Sequence, residues 1–117
     1  MEEKVIAEKI TFAQAAPYLS KSVGDDGVAL KKQCDSGIAQ CWRLQKGQAY
    51  MLTRAENKEL VVCCFEGENL GEIITGVIQA VKNSGFSSIR FHTKRPAILK
   101  LIRQDFEFVE SIFRRTL

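Results

Sequence analysis

Residues 60 to 93 read LVVCCFEGENLGEIITGVIQAVKNSGFSSIRFHT, and this stretch decides the fold. It opens with an uninterrupted apolar run, Leu60 to Phe65, which is typical of a strand covered on both faces. A polar turn over Glu66 to Asn69, an amphipathic helix and an alternating strand over Ser87 to Thr93 follow. Because parallel neighbours need a crossover connection, this order predicts a parallel strand-helix-strand unit.

The helix of this unit has marked ends in the sequence. Asn69 is a favourable N-cap, and Glu72 stands three residues later in the position of a capping-box acid. Asn83-Ser84-Gly85 ends the helix, with Gly85 available for a left-handed cap. Its apolar residues recur at helical spacing and form one stripe: Leu70, Ile73, Ile74, Val77, Ile78 and Val81.

Upstream, the sequence predicts a strand, two helices and three more strand-like runs. Lys4 to Ile10 reads as the first strand, and Thr11-Phe12-Ala13-Gln14 matches a capping box that opens a helix. Pro17 either kinks this helix or starts a shorter one. Val28 to Gln33 fits a brief second helix. The runs Ile38 to Gln45, Gln48 to Arg54 and Leu60 to Phe65 are joined by short turns and therefore predict an antiparallel meander.

Downstream, Lys94-Arg95-Pro96 opens a short last helix, because proline is tolerated at the first helical position. From Phe106 onward the pattern returns to a single strand, with a bulge near Val109 where the alternation slips. One strand at this point would leave an open sheet edge, so we expect a homodimer that covers this edge or an apolar face.

Length and composition predict one intracellular domain over residues 1 to 117. No apolar segment is long enough to cross a membrane, and the acidic start is unlike a signal peptide. Cys34, Cys41, Cys63 and Cys64 form no C-x-x-C pair, and Cys63 and Cys64 should point to opposite faces of their strand. Free thiols that act as small hydrophobes, in a reducing cytoplasm and without a metal site, are therefore expected.

The net charge of +3 is unevenly spread along the chain. Residues 1 to 80 hold nine Lys or Arg and eleven Asp or Glu, whereas residues 81 to 117 hold eight and three. A basic C-terminal third of this kind is usually a solvated face, but it could also attract nucleic acid. The region lacks a known docking motif and exposed stacking aromatics, so nucleic acid ranks last among the partners considered.

The order of these elements resembles the GNAT superfamily of N-acetyltransferases. The segment Ala97 to Phe106 (AILKLIRQDF) is also similar to that family's A-x-x-L-Y-x-K-x-G-F helix and turn. The resemblance implies an α/β (α+β) fold, in which a mixed sheet combines the antiparallel meander with the parallel unit and carries helices on both faces.

The resemblance also implies a site for acetyl-CoA or another acyl-CoA, in a cleft where the apolar strand and Ser87 to Thr93 splay apart. Pantetheine would run along the backbone near Cys63 to Phe65, and pyrophosphate would sit on the amides of residues 67 to 72. The cofactor-binding residues expected on this basis are Cys64, Phe65, Gly67, Asn69, Leu70 and Gly71.

Two departures from the family pattern count against an ordinary site. In the signature Q/R-x-x-G-x-G/A only Gly71 is in register, while Glu66 replaces Gln or Arg and Asn69 replaces the first glycine. Glu66, Glu68 and Glu72 would place three carboxylates around a doubly charged pyrophosphate, although acidic residues also stabilise a helix start. Leu101 occupies the position of the family's tyrosine, which protonates the leaving thiolate.

Glu66 and His92 are the candidate catalytic residues. Glu66 could act as a general base if it is buried, but an exposed turn carboxylate is the simpler interpretation. His92 could act as an acid or base near neutral pH, although a lone histidine beside Ser88 and Arg90 is more simply an edge residue. Cys64 would be a nucleophile only if its pKa were lowered.

Two main functions follow, and whether the chain is an enzyme stays open. The missing family residues favour a catalytically degenerate GNAT-like protein that binds a protein or small amine partner, as small phage- and mobile-element-encoded relatives do. The alternative is an acyl-CoA-dependent N-acyltransferase with a divergent pyrophosphate loop. Fold alone does not decide between them.

Overall fold

In the part of the chain that the structure describes, seven strands form one mixed sheet in the order β1-β2-β3-β4-β5-β7-β6. The computed structural model of the protein describes residues 6–92, 107–109 and 112–116. The predicted helix after Lys94 lies outside the described residues. In chain order the elements are β1 (Ala7–Ile10), α1 (Phe12–Val23), a 3₁₀ turn (Gly24–Asp26), α2 (Gly27–Asp35), β2 (Ala39–Leu44), a second 3₁₀ turn (Gln45–Gly47), β3 (Ala49–Glu56), β4 (Glu59–Gly67), α3 (Leu70–Asn83), β5 (Ser88–His92), β6 (Glu107–Val109) and β7 (Ile112–Thr116).

The predicted meander is confirmed, and it contains a bulge in its last strand. β2, β3 and β4 pair antiparallel in sequence order. Leu52 lies opposite Cys64 and Thr53 opposite Val62, so Cys63 has no partner in β3. The extra residue shifts the alternation of β4, and Cys63 and Cys64 therefore contact the same apolar cluster. The expectation that they face opposite sides is wrong.

The predicted parallel unit is also confirmed. Glu59 to Val62 of β4 pair in parallel with Ser88 to Phe91 of β5, and α3 forms the crossover between them. The predicted apolar stripe of α3 faces the sheet, and its buried members are Ile73, Ile74, Val77 and Val81. Gly85 follows the helix with φ 91°, a conformation that favours glycine.

Helices cover both faces of the sheet, as expected. We call the buried residues on one face the α3 cluster: Leu44, Ala49, Met51, Val62, Phe65, Ile73, Ile74, Val77, Val81, Ile89 and Phe91. The α1/α2 cluster on the other face contains Ala15, Leu19, Leu30, Ala39, Cys41, Tyr50, Leu52 and Cys64. The predicted capping box of α1 is present, since Gln14 N–H donates to Thr11 Oγ1 at 3.1 Å and Thr11 N–H donates to Gln14 Oε1 at 2.9 Å.

Pro17 lies within α1, which continues from Phe12 to Val23. Proline has no N–H to donate to the carbonyl of Ala13. Both Ala13 and Pro17 are exposed, so water can take the place of the missing donor. Neither of the two interpretations of Pro17, a kink or the start of a shorter helix, is needed to account for this helix.

The C-terminal segment differs from the expectation of one bulged strand. β6 and β7 are two strands that pair antiparallel, with Phe108 opposite Phe113, and β7 lies between β5 and β6. The slip in alternation near Val109 therefore marks a chain reversal and not a bulge. The outermost strand, β6, has only three residues. The open edge that motivated the homodimer is thus a short one, and the homodimer stays a prediction.

Candidate functional site

The carboxyl end of β4 extends past its described pairing with β5. Their described pairing stops at Val62 and Phe91, whereas β4 continues to Gly67. The bulge at Cys63 falls at the level where this pairing stops. We call the region from Cys63 to Glu72, where β4 leads into the start of α3, the carboxyl-end cleft. Ligands of α/β proteins commonly bind in such crevices outside the carboxyl ends of strands.

Gly67 closes β4 and fixes the path into α3. The strand extends through Glu66 and Gly67, which pair with Tyr50 and Ala49, so the turn begins two residues later than predicted. Gly67 has φ 141°, and a Cβ there would lie 2.3 Å from the carbonyl oxygen of Gln48 and 2.5 Å from Ala49 Cα. No other residue fits at this contact without moving backbone.

The start of α3 is tied to the β2–β3 turn and not capped by its own side chain. Asn69 has a left-handed backbone (φ 55°, ψ 34°), and its Nδ2 donates to Gln48 Oε1 at 2.9 Å. Glu68 N–H donates to the carbonyl oxygen of Gln48 at 2.8 Å. Asn69 is thus the N-cap residue, as predicted, but its side chain makes no capping hydrogen bond and the predicted capping box is not formed.

Three backbone amides at this helix start precede the helical ladder. The first backbone bond of α3 runs from Ile73 N–H to the carbonyl oxygen of Asn69 at 3.0 Å. The amides of Leu70, Gly71 and Glu72 come before it and are the donors that a helix leaves for a cap or an anion. Because the Asn69 side chain bonds to Gln48, it does not cap these three amides.

The three carboxylates expected around this loop do not converge on it. Glu68 and Glu72 are exposed, so water and salt screen their repulsion of an anion. Glu66 is buried, with 8% of its surface exposed, and lies on the opposite face of the sheet, beside α1. The interpretation of Glu66 as an exposed turn carboxylate is wrong, because β4 continues through it.

Helix α1 holds Glu66 in place. Ser22 Oγ donates to Glu66 Oε1 at 2.5 Å, a contact between residues 44 positions apart. Ser22 carried no signal in the sequence, since nothing in a single helix of this kind indicates which strand residue its hydroxyl will meet. Burial and the Ser22 hydroxyl fix this carboxylate at the carboxyl end of β4, and its role as a general base stays a prediction.

Glu66 ends a polar row that crosses four strands. The strand registers place Glu8 opposite Arg43, Arg43 opposite Tyr50, and Tyr50 opposite Glu66. Arg43 Nη2 donates to Glu8 Oε2 at 2.8 Å, and this hydrogen bond and charge hold the pKa of Glu8 below its usual range. Tyr18 of α1 stacks on Tyr50 with ring centroids 4.0 Å apart. Sequence reasoning missed this row because it depends on the register of three strand pairs.

His92 lies at the other side of the cleft and is not paired with Glu66. In the register of β4 and β5, His92 follows Phe91, which is opposite Val62. Glu66 lies four residues beyond Val62, so strand rise puts the two residues roughly 10 Å apart. The structure therefore does not bring the two candidate catalytic residues together as an acid–base pair.

The ring of His92 is half-buried and neutral near pH 7. Burial lowers its pKa, and the charges of Arg90 and Arg54 lower it further. Its Nε2 atom is buried and has no hydrogen-bond partner among the described residues. The lowered pKa disfavours the imidazolium form, which is the better proton donor, and the role of His92 as a catalytic acid or base stays a prediction.

Cys64 and Phe65 turn their side chains into the two cores. Cys64 is 2% exposed, and burial raises its pKa to about 12, the opposite of the lowered pKa on which a nucleophilic role would depend. Phe65 is 4% exposed and meets Phe91 edge to face, with ring centroids 6.0 Å apart. At these two positions only the backbone can contact a ligand in the cleft.

The amino ends of the same strands carry several linked ion pairs, which sequence reasoning did not predict. Glu56 and Glu59 are register partners across the β3–β4 turn. Arg90 bridges them, with Nη2 2.8 Å from Glu56 Oε2 and Nη1 3.2 Å from Glu59 Oε1. Arg54 Nε lies 2.9 Å from Glu56 Oε2, and Ser88 Oγ donates to Glu59 Oε2 at 2.7 Å. We call these five residues the amino-end network.

Two further properties concern the described part of the chain. None of its helices combines the length and the apolar character that a bilayer-crossing helix needs. Within the same residues, no three His, Cys, Asp or Glu side chains are grouped to hold a metal ion.

Comparison with known proteins rests on structure, since no sequence-family model and no curated protein sequence matches the chain. A Bacillus subtilis acetyltransferase in complex with CoA matches with a TM-score of 0.67 at 9% identity, over 97% of this chain and 98% of the other. A GNAT family acetyltransferase from Brucella melitensis, in complex with acetyl-CoA, matches with a TM-score of 0.61 at 9% identity, over 100% and 90%.

A third match is the PaiA N-acetyltransferase from Thermoplasma acidophilum in complex with coenzyme A. Its TM-score is 0.58 at 6% identity, over 98% of this chain and 100% of the other. All three proteins are acetyltransferases whose structures contain CoA or acetyl-CoA, and each is spanned almost end to end. The likeness at such low identity concerns architecture, and it confirms the resemblance drawn from the order of elements: the chain has the GNAT fold.

Proposed function

We propose that the protein binds acyl-CoA in the carboxyl-end cleft. The observation that carries this proposal is the start of α3, where Asn69 bonds to Gln48 and leaves the amides of Leu70, Gly71 and Glu72 without a side-chain cap. The start of this 14-residue helix offers a phosphate both N–H donors and the positive end of the helix dipole. The CoA-bound structures with the same fold support this choice of anion.

The strand that leads to this helix start suits the rest of the cofactor. Beyond Val62, β4 has no partner on the β5 side among the described residues, and the proposal places the amides of pantetheine against the backbone groups of Cys63 to Phe65 on that edge. Gly67 lets the end of β4 pass close to Gln48 and Ala49, where a side chain would clash. Bound acyl-CoA would supply a thioester carbonyl at the base of the cleft.

We further propose that the reaction is acyl transfer to an amine, with Glu66 as the general base. Its carboxylate is held by Ser22 on the α1 side of the sheet, so the amine would approach the thioester from that side. Glu66 would take the proton that an attacking amine nitrogen loses as the new amide bond forms. The thioester C–S bond breaks in the same reaction, and the CoA sulfur takes up a proton from solvent.

Leu101 affects the last of these steps, because leucine cannot donate a proton where the family has tyrosine. Alkyl thiols titrate near pH 8.5, so their thiolates are moderate leaving groups. The CoA thiolate can therefore depart before it takes up a proton. We therefore expect a slow enzyme with the fold's ordinary binding mode. A protein that binds acyl-CoA or an amine and does not turn over is the second candidate, and Leu101 is the observation that favours it.

Calorimetry with acetyl-CoA tests the binding step. We expect saturable binding in the micromolar range, and no heat up to millimolar ligand would refute the proposal. Glu72→Gln should tighten binding about two- to threefold, because it removes one exposed, screened charge beside the proposed pyrophosphate position. Glu56→Gln, at the end of β3 beside the amino end of β4, is the matched control and should leave the affinity unchanged.

Transfer of a labelled acetyl group to a panel of small amines tests the chemical step. Glu66→Gln should lower turnover by 100-fold or more while CoA affinity stays the same, since general base catalysis typically contributes about 10²–10⁴-fold. Ser22→Ala should lower turnover by a smaller factor. Tight binding of CoA with no transfer to any amine would support the second candidate over the enzyme.

A further inference from the structure

The four cysteines of the chain converge on one face of the sheet. Cys41 and Cys64 belong to the α1/α2 cluster, and Cys34 and Cys63 pack against it. All four are free thiols. Among these described residues, one pair has its sulfur atoms in contact: Cys34 Sγ of α2 lies 3.7 Å from Cys41 Sγ of β2. This pair joins a helix to the strand beneath it.

The two sulfurs differ in access. Cys34 is half-buried in the last turn of α2, so a reagent in solution can reach it, whereas Cys41 is 1% exposed. A small oxidant would therefore meet Cys34 first, and Cys41 would be in place to resolve the product.

Few buried contacts hold helix α2 against the sheet. The helix can therefore shift enough for Cys34 and Cys41 to bond. Leu30 is its only buried residue. Gln33 adds one hydrogen bond, in which Arg54 Nη1 donates to its Oε1 at 3.3 Å. The sulfurs must approach by roughly 1.7 Å to reach a disulfide length of about 2 Å. Gly37 follows the helix with φ 82° and has open space where a side chain would begin, which gives the connection room to adjust.

The other pairs are less suited. Cys63 and Cys64 are consecutive, so their Cα atoms are about 3.8 Å apart, below the usual disulfide range of about 4.4–6.8 Å. Cys64 is also buried beneath α1, which contacts β4. Cys34 with Cys41 is the pair that geometry favours.

We propose that Cys34 and Cys41 form a reversible disulfide that locks α2 onto β2, with a small disulfide such as oxidised glutathione as the oxidant. The Cys34 thiolate attacks one glutathione sulfur, and the first glutathione thiolate leaves. The Cys41 thiolate then attacks the sulfur of Cys34 and displaces the second. Two cysteine sulfurs are oxidised, one glutathione disulfide is reduced, and the two thiol protons pass to the two glutathione thiolates.

The exchange should be slow at neutral pH. Burial raises the pKa of Cys34, and burial with the neighbouring Cys34 raises the pKa of Cys41 to about 12. Because the thiolate is the attacking species, the rate should rise about tenfold for each pH unit below these pKa values. The pair would thus respond to sustained oxidation and not to brief exposure.

Mass spectrometry of the full chain in graded glutathione buffers tests the proposal. Trypsin cleaves after Lys32, Arg43, Lys58 and Lys82, so peptide 33–43 holds both Cys34 and Cys41 and peptide 59–82 holds Cys63 and Cys64. We expect peptide 33–43 to lose two hydrogen atoms on oxidation while peptide 59–82 keeps both thiols. Persistent thiols in peptide 33–43 under fully oxidised glutathione, or a cross-link to peptide 59–82 or to a second chain, would overturn it.

Hydrogen exchange tests the lock on α2. Oxidation should slow exchange of the amides in Lys31 to Asp35 by about tenfold or more, because local opening of α2 would then require the cross-linked turn to move with it. Cys34→Ser should abolish this slowing, and Cys63→Ser, the matched control, should keep it. A disulfide that forms without slowing these amides would show that α2 is not locked.

Discussion

The two ends of the parallel pair β4 and β5 use their polar groups in opposite ways. At the amino end, Arg90 and Arg54 neutralise Glu56 and Glu59, which lie opposite each other across a tight turn. At the carboxyl end the described pairing of β4 with β5 stops, Cys63 has no partner in β3, and the α3 amides have no side-chain cap. At one end charged side chains pair with each other, while at the other the start of α3 keeps backbone donors without a side-chain partner.

The difference follows from local backbone and not from composition, since both ends carry glutamates and polar turns. At the amino end the register places two glutamates opposite each other, and the side chains of Arg54 and Arg90 pair with them, so the polar groups stabilise the fold. At the carboxyl end one bulged residue and one glycine with φ 141° redirect the chain. Changes at the two ends should therefore affect different measurements: stability at the first, and ligand binding or chain direction at the second.

Gly67→Ala should have the largest effect. A Cβ at this position would lie 2.3 Å from the carbonyl oxygen of Gln48, so backbone must shift and the unfolding free energy should fall by about 3 kcal/mol or more. Gly85→Ala is the matched control, because Gly85 also has positive φ (91°) but no atom within 4 Å. It should cost only about 1 kcal/mol. Equal losses in denaturant unfolding would show that Gly67 is not sterically confined.

Arg90→Met should have the next largest effect and should act on stability alone. The side chain of Arg90 is 16% exposed and holds two carboxylates, so its loss should cost about 2–3 kcal/mol. Lys58→Met, at an exposed position of the same turn, should cost less than about 0.5 kcal/mol.

The cost of Arg90→Met should also depend on pH. Hydrogen bonding to Arg54, with the charges of Arg54 and Arg90, lowers the pKa of Glu56 from its ordinary 4.5. A lowered carboxyl pKa stabilises the fold above the unfolded value and loses this effect as pH falls through the folded one. The difference in unfolding free energy between the wild type and Arg90→Met should therefore become smaller below pH 4.5. A gap that stays constant as the pH falls well below this value would contradict the ion-pair account.

How much of the fold and of the candidate site the sequence could predict depends on how far apart in the chain the interacting residues lie. The α3 stripe and its Gly85 stop are local signals, and the apolar run of β4 identifies a central strand without knowledge of its neighbours. The capping box at Thr11 is equally local, and it is present. These features fix the order of elements and hence the fold.

The site depends on contacts that local patterns do not contain. Asn69 had the right residue type for a cap, but Gln48, 21 positions earlier, takes its side chain. Glu66 was assigned to a turn because Gly67 follows it, whereas pairing with β3 extends the strand and buries Glu66 against Ser22. The alternation slip near Val109 fitted both a bulge and a hairpin, and only pairing with β5 distinguishes them.

Substitution of His92 should have the smallest effect on stability. This residue lies at the boundary between the two regions. Its pKa lies below the ordinary 6.5 because of burial and the charges of Arg90 and Arg54, partly offset by Glu56 and Glu59. Between the folded and the unfolded pKa the unfolded chain binds the extra proton, so stability falls as pH drops through this window.

His92→Leu should remove this dependence. Unfolding free energies from about pH 7.5 to about pH 5 should decline more steeply for the wild type than for the variant, by up to about 1.4 kcal/mol per unit of pKa difference. Parallel curves would show that the ring is not held neutral by its surroundings.

Backbone amide chemical shifts during a titration with CoA test the contrast between the two ends most directly. We expect saturable shifts in the carboxyl-end cleft, largest at Leu70, Gly71 and Glu72, with the amides of Glu56, Glu59 and Ser88 unchanged. Shifts centred on the amino-end network, or none up to millimolar CoA, would contradict this contrast.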